Sequence, residues 1–259
     1  EDHLGVALMY RSTRKLTLTK DGEKLLGATQ NMLASVEGEL LRLSSTAAEP
    51  SGELRVTLPS VLSQSDFTEV IADFAASYPR IQLSLDFSDT RRGLIDDRFA
   101  LAIRMMPKFK RSATARKLFT VRRRLVAATT FLEACPEVHH PNDLLRLDWL
   151  TLAPVQHVPL NFRNAKGAIA KLKPEARLST NDAQSLYRLA CTGAGLAIVP
   201  EFLASEDVDT GVMEFVLPEW ELPSIDVFAE WPSNAPKHGL IHLALNALGK
   251  AYEDKRRVA

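Results

Sequence analysis

Hydroxyl and amide side chains placed just after apolar strands are the groups in this sequence best suited to hold a ligand. Ser60 follows Leu54-Arg55-Val56-Thr57-Leu58-Pro59, and Thr180 and Asn181 follow Arg177-Leu178-Ser179. A helix is expected to begin at each place, with Asn181 as a cap and Gln184 three residues on in the capping-box arrangement. Free backbone N–H groups and the positive end of the helix dipole would then stand beside these side chains, which is the chemistry of anion binding. Plain helix capping is the alternative use of the same residues. Ser88 closes a third strand, Ile81 to Phe87. Arg104 opens a stretch, Arg104 to Arg124, that holds nine Lys or Arg and no acid. Such a stretch suits an anionic effector or an acidic neighbouring surface, and a solvated face is its plainer use.

A second group of cations lies near the start. Arg11-Ser12-Thr13-Arg14-Lys15 sits between apolar flanks and reads as the basic tip of a hairpin. Its guanidinium and ammonium groups suit phosphate contact or insertion into a minor groove, and a solvated turn is the plainer use of such a cluster. Other chemistry is poorly supported. Cys135 and Cys191 are far apart and in no metal-ligand spacing, and Cys191, beside Leu189 and Ala190, is expected to be a packed thiol. His139-His140 has no further ligand at metal spacing. No Gly-rich phosphate loop and no G-x-S-x-G or HExxH pattern occurs, so neither an enzyme nor a cofactor is expected.

The elements that must position these groups follow from periodicity. Leu26, Thr29, Leu33, Val36, Leu40 and Leu43 recur at steps of three and four and form a narrow seam, widened by Leu25, Met32 and Leu41. This is the spacing by which two helices pack along their length, and an ordinary core-facing helix of one domain is the alternative use of the same pattern. Thr19 is the expected cap of that helix, with Asp21 and Glu23 in its first turn. After Gly52 the pattern becomes strand, helix, strand, short helix (Arg91 to Asp97), strand. That order implies parallel pairing with right-handed crossovers. A second unit of the same kind is expected from Leu125. A late strand, Ile225 to Trp231, and a closing helix, His238 to Lys255, end the chain.

Composition narrows the classes. Of the 259 residues 46% are apolar and 25% charged, and Lys+Arg balance Asp+Glu at 32 each, so the net charge names no partner. No apolar run approaches the roughly 20 residues of a membrane span. No signal-peptide pattern opens the chain and cysteines are few, so a cytoplasmic protein is expected.

Taken in order, these parts resemble a LysR-type bacterial transcriptional regulator from its wing onward. Leu4-Gly5-Val6-Ala7-Leu8-Met9-Tyr10-Arg11 and Leu16-Thr17-Leu18-Thr19-Lys20-Asp21-Gly22 are similar to the end of that family's winged helix-turn-helix. Gly52-Glu53-Leu54-Arg55-Val56 resembles the start of its effector domain, Ala102-Ile103-Arg104 its A-I-R segment, and Gly193 to Pro200 its G-x-G-I-x-x-x-P segment. Ala100 stands where the family usually has an acid. The helices that precede the wing, the recognition helix among them, are not in these residues, so DNA binding is expected of the full-length protein.

The resemblance implies an α/β fold. A wing remnant (1–19) and a linker helix with its hinge (20–52) precede a two-lobed effector domain like that of periplasmic binding proteins. Lobe I is 53–124 with 225–259, and lobe II is 125–224. It also implies a homodimer or homotetramer held through Leu26, Leu33, Val36, Leu40 and Leu43. The expected partners are double-stranded DNA, met at Arg11 to Lys15, and a small-molecule effector, anions among the candidates. The effector is expected between the lobes, with contacts from Ser60, Val61, Ser88 and Arg104 on one side. Thr129, Thr180, Asn181 and Pro200 are the candidates on the other. A transport solute-binding protein shares the lobes, but has no use for the basic hairpin or the seam helix.

Overall fold

The computed structural model describes residues 6–11, 16–44, 49–90, 93–94, 97–106, 114–235 and 239–258. Strands β1 (Met9–Arg11) and β2 (Leu16–Leu18) form the expected antiparallel hairpin, and helix α1 (Lys20–Ser44) follows. Residues Ser12, Thr13, Arg14 and Lys15 at its tip lie outside the described residues, as do the side chains of Arg11, Leu40 and Leu43. Thr19 caps α1: its hydroxyl oxygen accepts from the Gly22 N–H at 3.0 Å and its O–H donates to the Ala7 carbonyl at 2.7 Å. Gly22 has a steric role, because a Cβ there would stand 2.0 Å from the Leu8 carbonyl oxygen. Thr19 and Gly22 thus seat the hairpin on the first turn of α1. Farther along, Leu26, Leu33 and Val36 are exposed, and no part of the described chain covers them.

The next stretch is β3 (Gly52–Leu58), a 3₁₀ turn (Ser60–Gln64), α2 (Phe67–Ser77), β4 (Ile81–Phe87), β5 (Leu101–Met106) and β6 (Ala115–Val121). The short helix expected over Arg91 to Asp97 falls largely on residues outside those described, and Leu94 and Asp97 lie in turns. The chain then crosses into β7 (Arg123–Ala128), α3 (Thr129–Glu133), β8 (Trp149–Leu152), β9 (Leu160–Asn164), β10 (Ile169–Leu172) and β11 (Ala176–Thr180). After these come α4 (Ala183–Cys191), β12 (Ala197–Pro200), α5 (Glu201–Asp209), β13 (Met213–Phe215) and β14 (Trp220–Glu221). It returns through β15 (Ile225–Glu230) to α6 (Leu240–Val258).

The first lobe is a five-stranded sheet in the order β4-β3-β5-β15-β6. Strand β3 pairs in parallel with both β4 and β5, as the strand–helix alternation implies, while β15 runs antiparallel to β5 and β6. Leu54, Val56, Leu58, Ile103 and Val227 from the sheet meet Phe67, Val70 and Phe74 of α2 and Ala244, Leu245 and Leu248 of α6 in one buried core. Removing that much apolar side chain from water, at about 1.5–3 kcal/mol for each large residue, is what holds the helices to the sheet.

The second lobe departs from expectation. It is not a second parallel unit. Strands β12-β7-β13 and β10-β9-β14 are antiparallel groups, and only β8 and β11 pair in parallel. Short antiparallel strands need only tight turns between them, and Asn164 to Gly167 provides one. The two lobes are joined where β6 passes into β7 and where β14 leads to β15. Arg123 ties the two crossings together, its Nε–H donating to the Pro223 carbonyl at 2.8 Å.

Candidate functional site

The site is built from strand ends. Because β3 and β4 run parallel, with Leu58 opposite Phe87, their following loops leave the same edge of the sheet. That register puts Ser60 beside Asp89. The Asp89 carboxylate accepts the Ser60 N–H at 2.9 Å through one oxygen, and the Ser60 hydroxyl at 2.7 Å through the other. Ser88 supports the loop, its N–H donating to the Leu58 carbonyl at 2.9 Å and its hydroxyl oxygen accepting from the Thr90 N–H at 3.3 Å. Val61 is buried in the turn behind Ser60.

From the second lobe, β11 ends at Thr180, whose hydroxyl oxygen accepts the Asp182 N–H at 3.3 Å. The cap of α4 is Asp182, not Asn181: its carboxylate accepts the Ser185 N–H at 2.6 Å, and Asn181 is exposed. Both residue types cap well, and the chain turns one residue later than expected because Thr180 holds the Asp182 N–H. Gln184 forms no capping box. Its amide crosses to the first lobe and donates to the Ser60 carbonyl at 2.8 Å and to the Ser63 hydroxyl at 2.5 Å.

Two more contacts cross the same seam. The Ser60 hydroxyl lies 2.9 Å from the Asp182 carboxylate, and the Ala183 N–H donates to Asp89 at 2.8 Å. The expected free N–H groups are therefore engaged: one carboxylate, Asp89, takes the Ser60 amide and the first amide of α4. Ser60 is not a helix cap either. Pro59 holds that position without a side-chain bond, and the Ser60 hydroxyl is spent on the two aspartates. It has a single hydrogen to offer two carboxylates.

The other expected contacts lie farther from this cluster. Arg104, on β5, has its Nε 3.8 Å from Glu230 of β15, so its charge is matched within the sheet. Thr129 opens α3 and donates its hydroxyl to the Gly211 carbonyl at 2.9 Å. Pro200 ends β12 opposite Arg123, at the crossing between lobes. Of the basic stretch, Lys117 pairs with Asp226 and Arg124 with Glu201. These cations are used in lobe contacts, and Lys108, Lys110 and Arg111 lie outside the described residues.

Three contributors escaped the sequence reading: Asp89, Asp182 and Gln184 as a bridge. Asp89 carried a usable signal, since it follows a parallel strand just as Ser60 does.

The thiols fit packing. Burial pushes the Cys191 thiol up, and burial with Asp148 does the same to Cys135. Burial also raises the neighbouring Tyr187 phenol, which donates to Asp207. Among the described residues no group of His, Cys, Asp and Glu could hold a metal ion, and no helix is long and apolar enough to cross a membrane. His140 instead caps the 3₁₀ turn Pro141–Arg146.

The Asp182 carboxyl titrates with a definite sign. Burial works against its ionisation, but the donors from Ser185, Ser60 and Gln184 outweigh it and hold the group below the ordinary 3.8. A depressed native value means that the unfolded chain binds the proton first. The stabilisation by Asp182 is therefore whole at neutral pH and is lost as pH falls below 3.8. Urea midpoints of the protein and of Asp182→Ala should differ at neutral pH and converge in acid. A gap independent of pH would show that the charge is not what acts.

Comparison with known proteins fits this geometry. A family model described as the LysR substrate binding domain matches residues 47–252. The chain is 32% identical over 239 residues to the HTH-type transcriptional regulator PtxR of Pseudomonas aeruginosa, covering 90% of this chain and 75% of that protein. It is 27% identical over 257 residues to the regulator DmlR of Escherichia coli, covering 98% and 83%. In fold it is similar to full-length AphB, a virulence activator of Vibrio cholerae, with a TM-score of 0.65 at 22% identity over 95% of this chain and 84% of that one. CrgA of Neisseria meningitidis gives a TM-score of 0.66 at 22% identity over 96% and 85%. The relatives are transcriptional regulators rather than enzymes. With an N-terminal hairpin, a long helix and two lobes meeting at their strand ends, this chain belongs to the LysR family of DNA-binding transcriptional regulators.

Proposed function

We propose that a small molecule controls this regulator by binding between the lobes, at the seam where Ser60 meets Asp182 and Gln184. The observation that carries the reading is that direct side-chain bonds join the lobes here, at strand ends 122 and 124 residues apart in sequence. A ligand that replaces those bonds favours one relative pose of the lobes over another, and a binding protein shifts its equilibrium by that difference in affinity. The working division is wing 1–19, linker 20–52, lobe I 53–124 with 225–259, and lobe II 125–224. The exposed Leu26, Leu33 and Val36 pair α1 with a second copy, as dimer or tetramer. The lobe pose then sets how the paired wings, through Arg11 to Lys15, sit on double-stranded DNA in the cytoplasm. An anionic effector reaches the amides of Ser60 and Ala183 only by displacing Asp89. Ser88, Val61, Thr180 and Asn181 flank that seam. Arg104, Thr129 and Pro200 belong to its outer supports.

The test begins with a thermal-shift screen of small metabolites, since a ligand at 100 times its Kd adds about 2.7 kcal/mol to the native state. Calorimetric titration of Ser60→Ala and Gln184→Ala with the effector so found then decides. Each variant removes one seam donor, so affinity should fall about tenfold, the weight of one net hydrogen bond. Unchanged affinity in both variants would move the effector elsewhere.

A further inference from the structure

We infer that Asp89 is a built-in latch: its carboxylate occupies the seam and holds the two lobes together, so that an effector must replace it. The inference rests on the proposed seat of the effector and deepens it.

Asp89 belongs to the first lobe, in the loop after β4, yet one of its oxygens accepts the first amide of α4 in the second lobe, at 2.8 Å. Its other two donors, the Ser60 N–H and hydroxyl at 2.9 Å and 2.7 Å, come from its own lobe and aim the carboxylate across the seam. A carboxylate that accepts several N–H and O–H donors in a partly dry place is a strong partner. The positive end of α4, a helix of nine residues, favours a negative charge at that position. Ala183 itself is buried, so when Asp89 leaves, its amide depends on water or another acceptor entering the seam. Ser88 and Asp89 are half-buried and lie beyond the last paired residue of β4, so Asp89 can leave its donors without unpairing the sheet. On the other side Asp182 caps α4 and shares the hydroxyl of Ser60 with Asp89. The Gln184 bridge is separate, since it uses the Ser60 carbonyl and Ser63, not the carboxylate.

The consequence is regulatory. With the latch seated, only molecules in which Asp89 has left can take an effector on those amides. The apparent affinity is the intrinsic one lowered by that fraction. Removing the carboxylate should tighten binding of an effector that uses the amides, and loosen the lobes when none is present.

The experiment needs no identified effector. Asp89→Ala empties the carboxylate position, and sodium formate supplies a free carboxylate in its place, with sodium chloride at equal ionic strength as the reference. The readouts are the melting temperature and the hydrogen exchange of the Ala183 amide. Asp89→Ala should melt lower and exchange Ala183 faster than the native protein, and formate should recover most of both losses while leaving the native protein unmoved. Asp89→Asn keeps the volume and one acceptor oxygen but not the charge, so it blocks formate and should show a smaller loss without recovery. Gln184→Ala loosens the seam by another route and should leave Ala183 protected and indifferent to formate. Unchanged exchange at Ala183 in Asp89→Ala, or loss that formate does not recover, overturns the latch. Rescue is independent of the effector titrations, so failure of either idea leaves the other decided on its own data.

Discussion

Leu33→Glu together with Val36→Glu is expected to turn the protein into monomers while leaving the two lobes folded. Both side chains are exposed in the single chain, at 53% and 52%, on a helix of 25 residues that follows the hairpin. An apolar stripe that the described residues leave open, at the spacing of helix pairs, is the surface a second α1 would cover. Burying each such side chain in a partner is worth about 1.5–3 kcal/mol. In a two-fold dimer each substitution acts twice. Losing four burials therefore costs about 6 kcal/mol at the low end, or ~10⁴-fold in the dimer dissociation constant. The glutamates add the cost of charge in an apolar seam. Light scattering gives the mass, and the thermal transition should stay near that of the parent because neither residue lies in the lobe cores. An unchanged mass would mean that copies associate through another surface.

Gly195→Ala should be among the most damaging single substitutions in the second lobe. Gly195 has φ +143°, a left-handed conformation that costs any other residue about 1–3 kcal/mol. A Cβ there would also stand 2.5 Å from the Asp148 carbonyl oxygen. That carbonyl cannot simply yield, because it accepts the Leu196 N–H at 2.8 Å, and the Leu196 carbonyl in turn accepts the Leu150 N–H at 2.8 Å. The pair is the stitch between β8 and the start of β12. Strain and the broken stitch together should cost about 3–5 kcal/mol, a large share of the 5–15 kcal/mol that holds a typical protein folded. At about 2–4 °C per kcal/mol for a chain of this size, the melting temperature should fall by roughly 6–20 °C. A fall of only a degree or two would show that β8 and β12 can separate without loss.

The parts of the fold that were legible beforehand are those decided by residues close together in the chain. Helix α1, the Thr19 cap, β3 to β5 with their parallel order, and the Gly193 to Pro200 turn into a buried strand all follow from local periodicity or turn chemistry. The resemblance to the LysR family rested on the same segments. Directions in the second lobe were not legible, because a short apolar run fits a parallel or an antiparallel neighbour equally well.

The candidate site divides along the same line. Ser60 could be singled out because it follows a strand, a property of its own neighbourhood. Its pairing with particular partners could not. Asp89 is 29 residues away and Gln184 is 124 residues away, and both reach it only because the parallel register of β3 and β4 and the packing of the lobes put them there. A buried donor must be satisfied, but any acceptor that the fold brings within about 3 Å will serve. Local sequence thus named Ser60, and the assembled lobes chose a carboxylate of the protein itself as its acceptor.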